Sequence, residues 1–201
     1  MNSDLFDLSL KHWSVLPLYV LPGVVNLGLF VYAQIFLSQN RINSTFSLFI
    51  FLLSVSQLCD GMMHMGNSEN TAIMWQRMSV APWLFTTPVG IFFALSFGKE
   101  RFLNRSRLAA VLLTPATVLL LLVIGGMAQF EMIFKEGWGW IANPKATPFN
   151  FVVYGFITAG TVFVPALMWR YWTRSGKGTI ERPKFLMLAL GVSIPYAGGL
   201  I

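Results

Sequence analysis

The sequence predicts an all-α fold, a polytopic transmembrane helix bundle, and three observations carry the prediction. Hydrophobic residues make up 55 % of the 201-residue chain and charged residues 11 %, whereas an ordinary soluble domain is about one quarter charged. The apolar residues fall into six long runs separated by short polar segments. Within these runs there is no period of two: the stretch 112–124 does not alternate, as a transmembrane strand would. Backbone groups in lipid must be satisfied within their own segment, so each run is read as a helix.

Crossing a hydrocarbon layer about 30 Å thick takes roughly 20 residues at 1.5 Å each. The first helix is placed at 14–37, preceded by Trp13 at the expected interface. Its leader holds Asp4 and Asp7 against Lys11 and lacks the basic start of a signal peptide. The second helix is placed at 46–66. The third, at 72–98, contains Pro82 and Pro88, and the fourth, at 108–130, contains Pro115. The fifth, at 149–172, contains Pro165. Transmembrane helices tolerate such prolines, usually with a kink. The sixth helix is placed at 185–201 and is still apolar at Ile201, so a seventh is expected beyond it and the chain reads as truncated. No repeat or linker divides the sequence, which is read as one membrane-embedded domain over 1–201.

The net charge is +6. In a soluble protein this would raise nucleic-acid binding, but here the basic residues sit between apolar runs and act as topology signals. Arg41, the group Lys99, Arg101, Arg105 and Arg107, and the group Arg170, Arg174, Lys177, Arg182 and Lys184 share one side. Lys11, Lys135 and Lys145 share the other. The positive-inside rule then places the N-terminus outside and the basic loops in the cytoplasm. The expected setting is the bacterial inner membrane.

Few polar residues lie inside the runs. Gln57, Asp60 and His64 are spaced to share one face of the second helix. Asp60 and Arg77 lie at similar depths below the turn 67–70, so an ion pair or a water-lined pocket is expected there. The two charges act either as a clip capped by His64 or as part of a ligand pocket open to the outer face. Met62, Met63 and Met65 flank His64. Thioethers suit Cu(I), but neighbouring helix positions diverge, so packing is expected and no metal site is assigned. Trp138 and Trp140, in the long outer loop 131–148, are expected to lie flat at the interface, or alternatively to cover a pocket. Cys59, the only cysteine, is expected to be a buried spectator. No phosphate loop, nucleophile elbow or zinc helix occurs, so no catalytic residue and no cofactor are assigned.

The order of these features carries a resemblance. An acidic residue near the end of helix two, a short polar turn, Trp75-Gln76-Arg77, a proline-bearing helix ending in Phe92-Phe93-Ala94-Leu95-Ser96-Phe97, and Gly137-Trp138-Gly139-Trp140 before helix five follow one another. The basic loop to Lys184 and Gly191 to Pro195 come after. The chain resembles the seven-helix N-terminal sensor region of bacterial membrane histidine kinases, which also precedes diguanylate cyclases. The resemblance implies signal sensing without catalytic output on this chain, with Trp75 and Arg77 in its aromatic-x-Arg element and Asp60 near its acidic position. The ligand-sensing candidates are thus Gln57, Asp60, His64, Trp75, Arg77, Trp138 and Trp140. Expected partners are the lipid bilayer, a small ligand at the outer face and, in a homodimer, a second copy; nucleic acid is not expected. The alternatives are a small carrier subunit and a passive anchor for a partner.

Overall fold

The computed structural model describes residues 15–37, 40–97 and 105–174. A π-helical turn at Leu16–Val20 runs into α1 (Leu21–Phe36). Next come α2 (Arg41–Met65), α3 (Glu69–Phe97) and α4 (Arg105–Ile124). A hairpin of β1 (Phe130–Lys135) and β2 (Gly139–Pro144) precedes α5 (Pro148–Arg174). Five helical spans among the described residues are long and apolar enough to cross a membrane. The expected helix at 185–201 lies outside the described residues.

Side-chain caps set two of the helix starts. Asn40 accepts a hydrogen bond from the Asn43 backbone N–H at 2.9 Å at the start of α2. Ser68 accepts from the Thr71 N–H at 3.2 Å at the start of α3, where Glu69 adds an acidic group in the first turn. Pro82 and Pro88 lie inside α3 without ending it. The Thr86 hydroxyl donates to the Pro82 carbonyl at 2.7 Å, one of the local adjustments that let prolines remain within a membrane helix.

Helix α3 is the centre of the bundle and packs against α2, α4 and α5. One core joins Phe49 and Leu53 of α2, Val89 and Phe93 of α3, and Val164, Met168 and Tyr171 of α5. A second joins Val80 and Leu84 of α3, Leu119 and Val123 of α4, and Val153 of α5. Between helices already surrounded by hydrocarbon, close packing rather than removal from water supplies the attraction, and small residues permit it. Gly160 of α5 admits Thr87 of α3 so closely that a Cβ there would collide with it. Gly23 of α1 sits against Leu58, and the Ser54 hydroxyl donates to the Gly23 carbonyl at 2.7 Å. The apolar side chains of Leu21, Val25, Leu29 and Phe36 on α1 are left exposed, as a lipid-facing helix requires.

Two expectations about the loop side are corrected. The fourth helix ends at Ile124 rather than at residue 130. Gly126 holds φ at +85°, and the N–H groups of Gly126 and Met127 donate to the carbonyls of Val123 and Leu122. That is a Schellman stop, favoured by glycine at the left-handed position. The loop at 131–148 is largely an antiparallel hairpin, with Phe134 opposite Trp140 and Ile133 opposite Ile141. Its turn is closed by the Trp138 N–H donating to the Lys135 carbonyl at 3.0 Å, with Gly137 at φ +80°.

Candidate functional site

The hairpin lies over the α2–α3 end of the bundle. Met132 of β1 is buried with Met63 of α2 and Ala72 of α3, and Trp75 and Trp140 pack around them. Phe134 meets Trp140 edge-on at 5.4 Å. Trp140 is therefore a packed side chain against the helices rather than a flat interfacial one. Trp138 is half-buried at the hairpin turn.

The base of the hairpin is tied to α5. The Lys145 N–H donates to the Gln129 carbonyl at 3.2 Å, closing the ends of the two strands. The buried Asn150 amide then donates to both the Gln129 and the Lys145 carbonyls, at 2.7 and 2.8 Å. The Thr147 hydroxyl accepts from the Asn150 backbone N–H at 3.2 Å.

Beneath the hairpin end, the polar residues of α2 point to different neighbours. Gln57 accepts a hydrogen bond from the Asn26 amide of α1 at 2.9 Å. His64 is buried, and its ring lies 4.7 Å from that of Tyr19 in the π-helical turn. Gly61, one turn from Gln57, lets Val20 and Tyr19 approach α2. Asp60 faces α3, where the Trp83 indole N–H donates to its carboxylate at 3.1 Å. The Ser79 hydroxyl is the other partner of that carboxylate, and also reaches the Gln76 carbonyl at 2.9 Å.

The expected Asp60–Arg77 ion pair does not form: Arg77 is exposed, and the carboxylate's partners are Trp83 and Ser79. Depth was matched in that expectation, but rotation decides contact. At 100° per residue, Ser79 and Trp83 share a face of α3, and Arg77 lies about 160° around the helix from Ser79. Side chains also lean toward the N-terminal end of their helix, which brings the Trp83 indole up to the level of Asp60.

The structure thus brings Gln57, Asp60 and His64 to one end of the bundle and places Trp75 and Trp140 in the hairpin contact. Arg77 stands apart on the exposed side of α3. Residues the sequence reading passed over complete the site: Tyr19, Asn26, Ser79 and Trp83, with Tyr154 of α5 within electrostatic range of Asp60. The available signal for Ser79 and Trp83 was their i, i+4 spacing within one turn of Pro82.

A family model described as the N-terminal 7TM region of histidine kinase matches residues 18–201. The chain belongs to this family. As a histidine-kinase 7TM region it is a membrane protein, and its described residues supply five spans. Neither the curated proteins nor the solved structures contain a match to it.

Proposed function

We propose that this 7TM region is the signal-receiving part of a sensor histidine kinase or a related signalling protein and carries no catalytic output of its own. It sits in the bacterial inner membrane with its N-terminus and hairpin outside, the orientation that the basic loops favour. The observation that supports a sensing role most is the grouping of Asp60, His64, Gln57, Trp83 and Tyr19 where α2, α3 and the π-helical turn meet within the membrane spans. Ionisable residues within membrane spans are costly and usually functional. A small ligand reaching this end would alter how the π-helical turn, α2, α3 and α5 meet around Asp60. It shifts the signalling state only if its affinity differs between two packings.

The test is to join the chain, through its C-terminal end, to a reporter histidine kinase. A sensor predicts that Asp60→Asn and Trp83→Leu change reporter autophosphorylation several-fold, whereas the lipid-facing Leu29→Val does not. Identical output from all of these well-inserted chimeras would refute the reading. Substrate accumulation by vesicles holding the chain alone would establish a carrier instead.

A further inference from the structure

Asp60 is a carboxylate within a membrane span whose partners among the described residues are a tryptophan N–H and a serine hydroxyl, both neutral. A charge in that setting lacks the cation that ordinarily balances it. Aromatic residues of three further elements lie near it: Trp83 of α3 donates its indole N–H to the carboxylate, and Tyr19 of the π-helical turn and Tyr154 of α5 are within electrostatic range of it. His64, one turn nearer the hairpin end, meets Tyr19 in a tilted ring contact, with centroids 4.7 Å apart. A carboxylate among several aromatic side chains is the recognition chemistry of an organic ammonium group. The charge is met by the acid, and the alkyl substituents and remaining positive potential by the rings. Small inorganic ions fit this set poorly, because among the described residues it offers a single carboxylate beside neutral hydroxyls, and no group of three metal-binding side chains.

A second, independent feature points to the same place. Tyr19 is carried by a π-helical turn, Leu16–Val20. Such turns are rare and concentrate at functional sites. Here the turn brings Tyr19 and Val20 against Gly61, directly beside Asp60.

We propose that Asp60, Trp83, Tyr19 and Tyr154 form a binding site for an organic ammonium group, entered from the hairpin end beside the Tyr19–His64 pair. This names the ligand class for the sensing role above and rests on that reading. Arg77, on the exposed side of α3, takes no part.

The probe is tetramethylammonium, compared with sodium at equal ionic strength, and the readout is the thermal unfolding of the full 201-residue chain in detergent. The wild type is expected to be stabilised by tetramethylammonium, saturating at roughly millimolar concentration, and not by sodium. Asp60→Asn should abolish this stabilisation. Trp83→Leu and Tyr154→Leu, which keep the carboxylate, should each weaken the apparent affinity about tenfold, so the proposal stays testable if Asp60→Asn misfolds. Arg77→Gln should bind as the wild type does. Equal stabilisation by sodium, equal stabilisation of the Asp60→Asn or Trp83→Leu protein, or no response of the wild type would each overturn the site. If the reporter kinase still responds to Asp60→Asn while tetramethylammonium fails to bind, the ligand class falls and the sensing role stands.

Discussion

The hydrogen bond from Trp83 to Asp60 sets what single substitutions will do. Bonds to charged groups contribute about 1.5–3 kcal/mol in water-soluble proteins, but polar contacts between membrane helices average about 0.6 kcal/mol. An intermediate cost, about 1–2 kcal/mol, is therefore expected for Trp83→Phe, which keeps the ring and removes the donor. Asp60→Asn and Trp83→Phe should be coupled in a double-mutant cycle, whereas Asp60→Asn and Arg77→Gln should add independently. Unfolding of the wild type, the three single variants and the two double variants in detergent measures both. Coupling between Asp60 and Arg77 with none between Asp60 and Trp83 would contradict the observed rotation of α3. At this scale the sequence was only partly legible. That Asp60 needed a partner followed from its place within an apolar run. Which partner it takes depends on the azimuth of α3 and the lean of a long indole, neither of which spacing along one helix reveals.

At the scale of elements, the hairpin and the α3–α5 contact make separate predictions. Asn150→Ala removes the side-chain donor from the Gln129 and Lys145 carbonyls, each of which keeps one backbone donor. The loss should be about 1–3 kcal/mol, confined to one unit of structure. Amide exchange should rise in 130–144 and stay slow in the cores of α2 and α3. Uniform acceleration through the helices would mean that the clamp supports the whole bundle. Gly160→Ala places a methyl group where Thr87 sits, and overpacking of this kind costs about 1–3 kcal/mol. Adding Thr87→Ala should recover part of that loss in thermal unfolding. The helices were legible because long apolar runs admit one solution in lipid. The hairpin was not, because Gly125-Gly126 lay within a run that read as helix, and the short strands between the glycines carry too few residues to show a clear period. Gly126, Gly137 and Gly139, all at positive φ, were the available signal.

The whole molecule is organised by an imbalance of charge and by one central helix. Orientation is tested by cysteine labelling in intact cells after Cys59→Ser. A cysteine at Glu136, exposed at the hairpin turn, should react from outside, and one at the exposed Arg107 only after permeabilisation. The reverse pattern would invert the topology. Composition and run length made the membrane class and the helix order readable. The way the helices cross is a property of three-dimensional packing, with close approaches at Gly23, Gly61, Gly90 and Gly160.

The Asn150 clamp has a mechanical consequence. Because both strand ends of the hairpin are fastened to the first turn of α5, the hairpin cannot tip without turning that helix with it. From Asn150 to Pro165 the helix is uninterrupted by proline, a rod of roughly 23 Å. A tilt of about 5° at the hairpin would carry the far end of that rod through about 2 Å. At that end, Val164 and Met168 interlock with Phe49 and Phe93. A close-packed contact does not deform smoothly over such a distance; it holds or it steps to another arrangement. The two bonds of one amide group thus make the hairpin the handle of a lever whose other end rests on the main core.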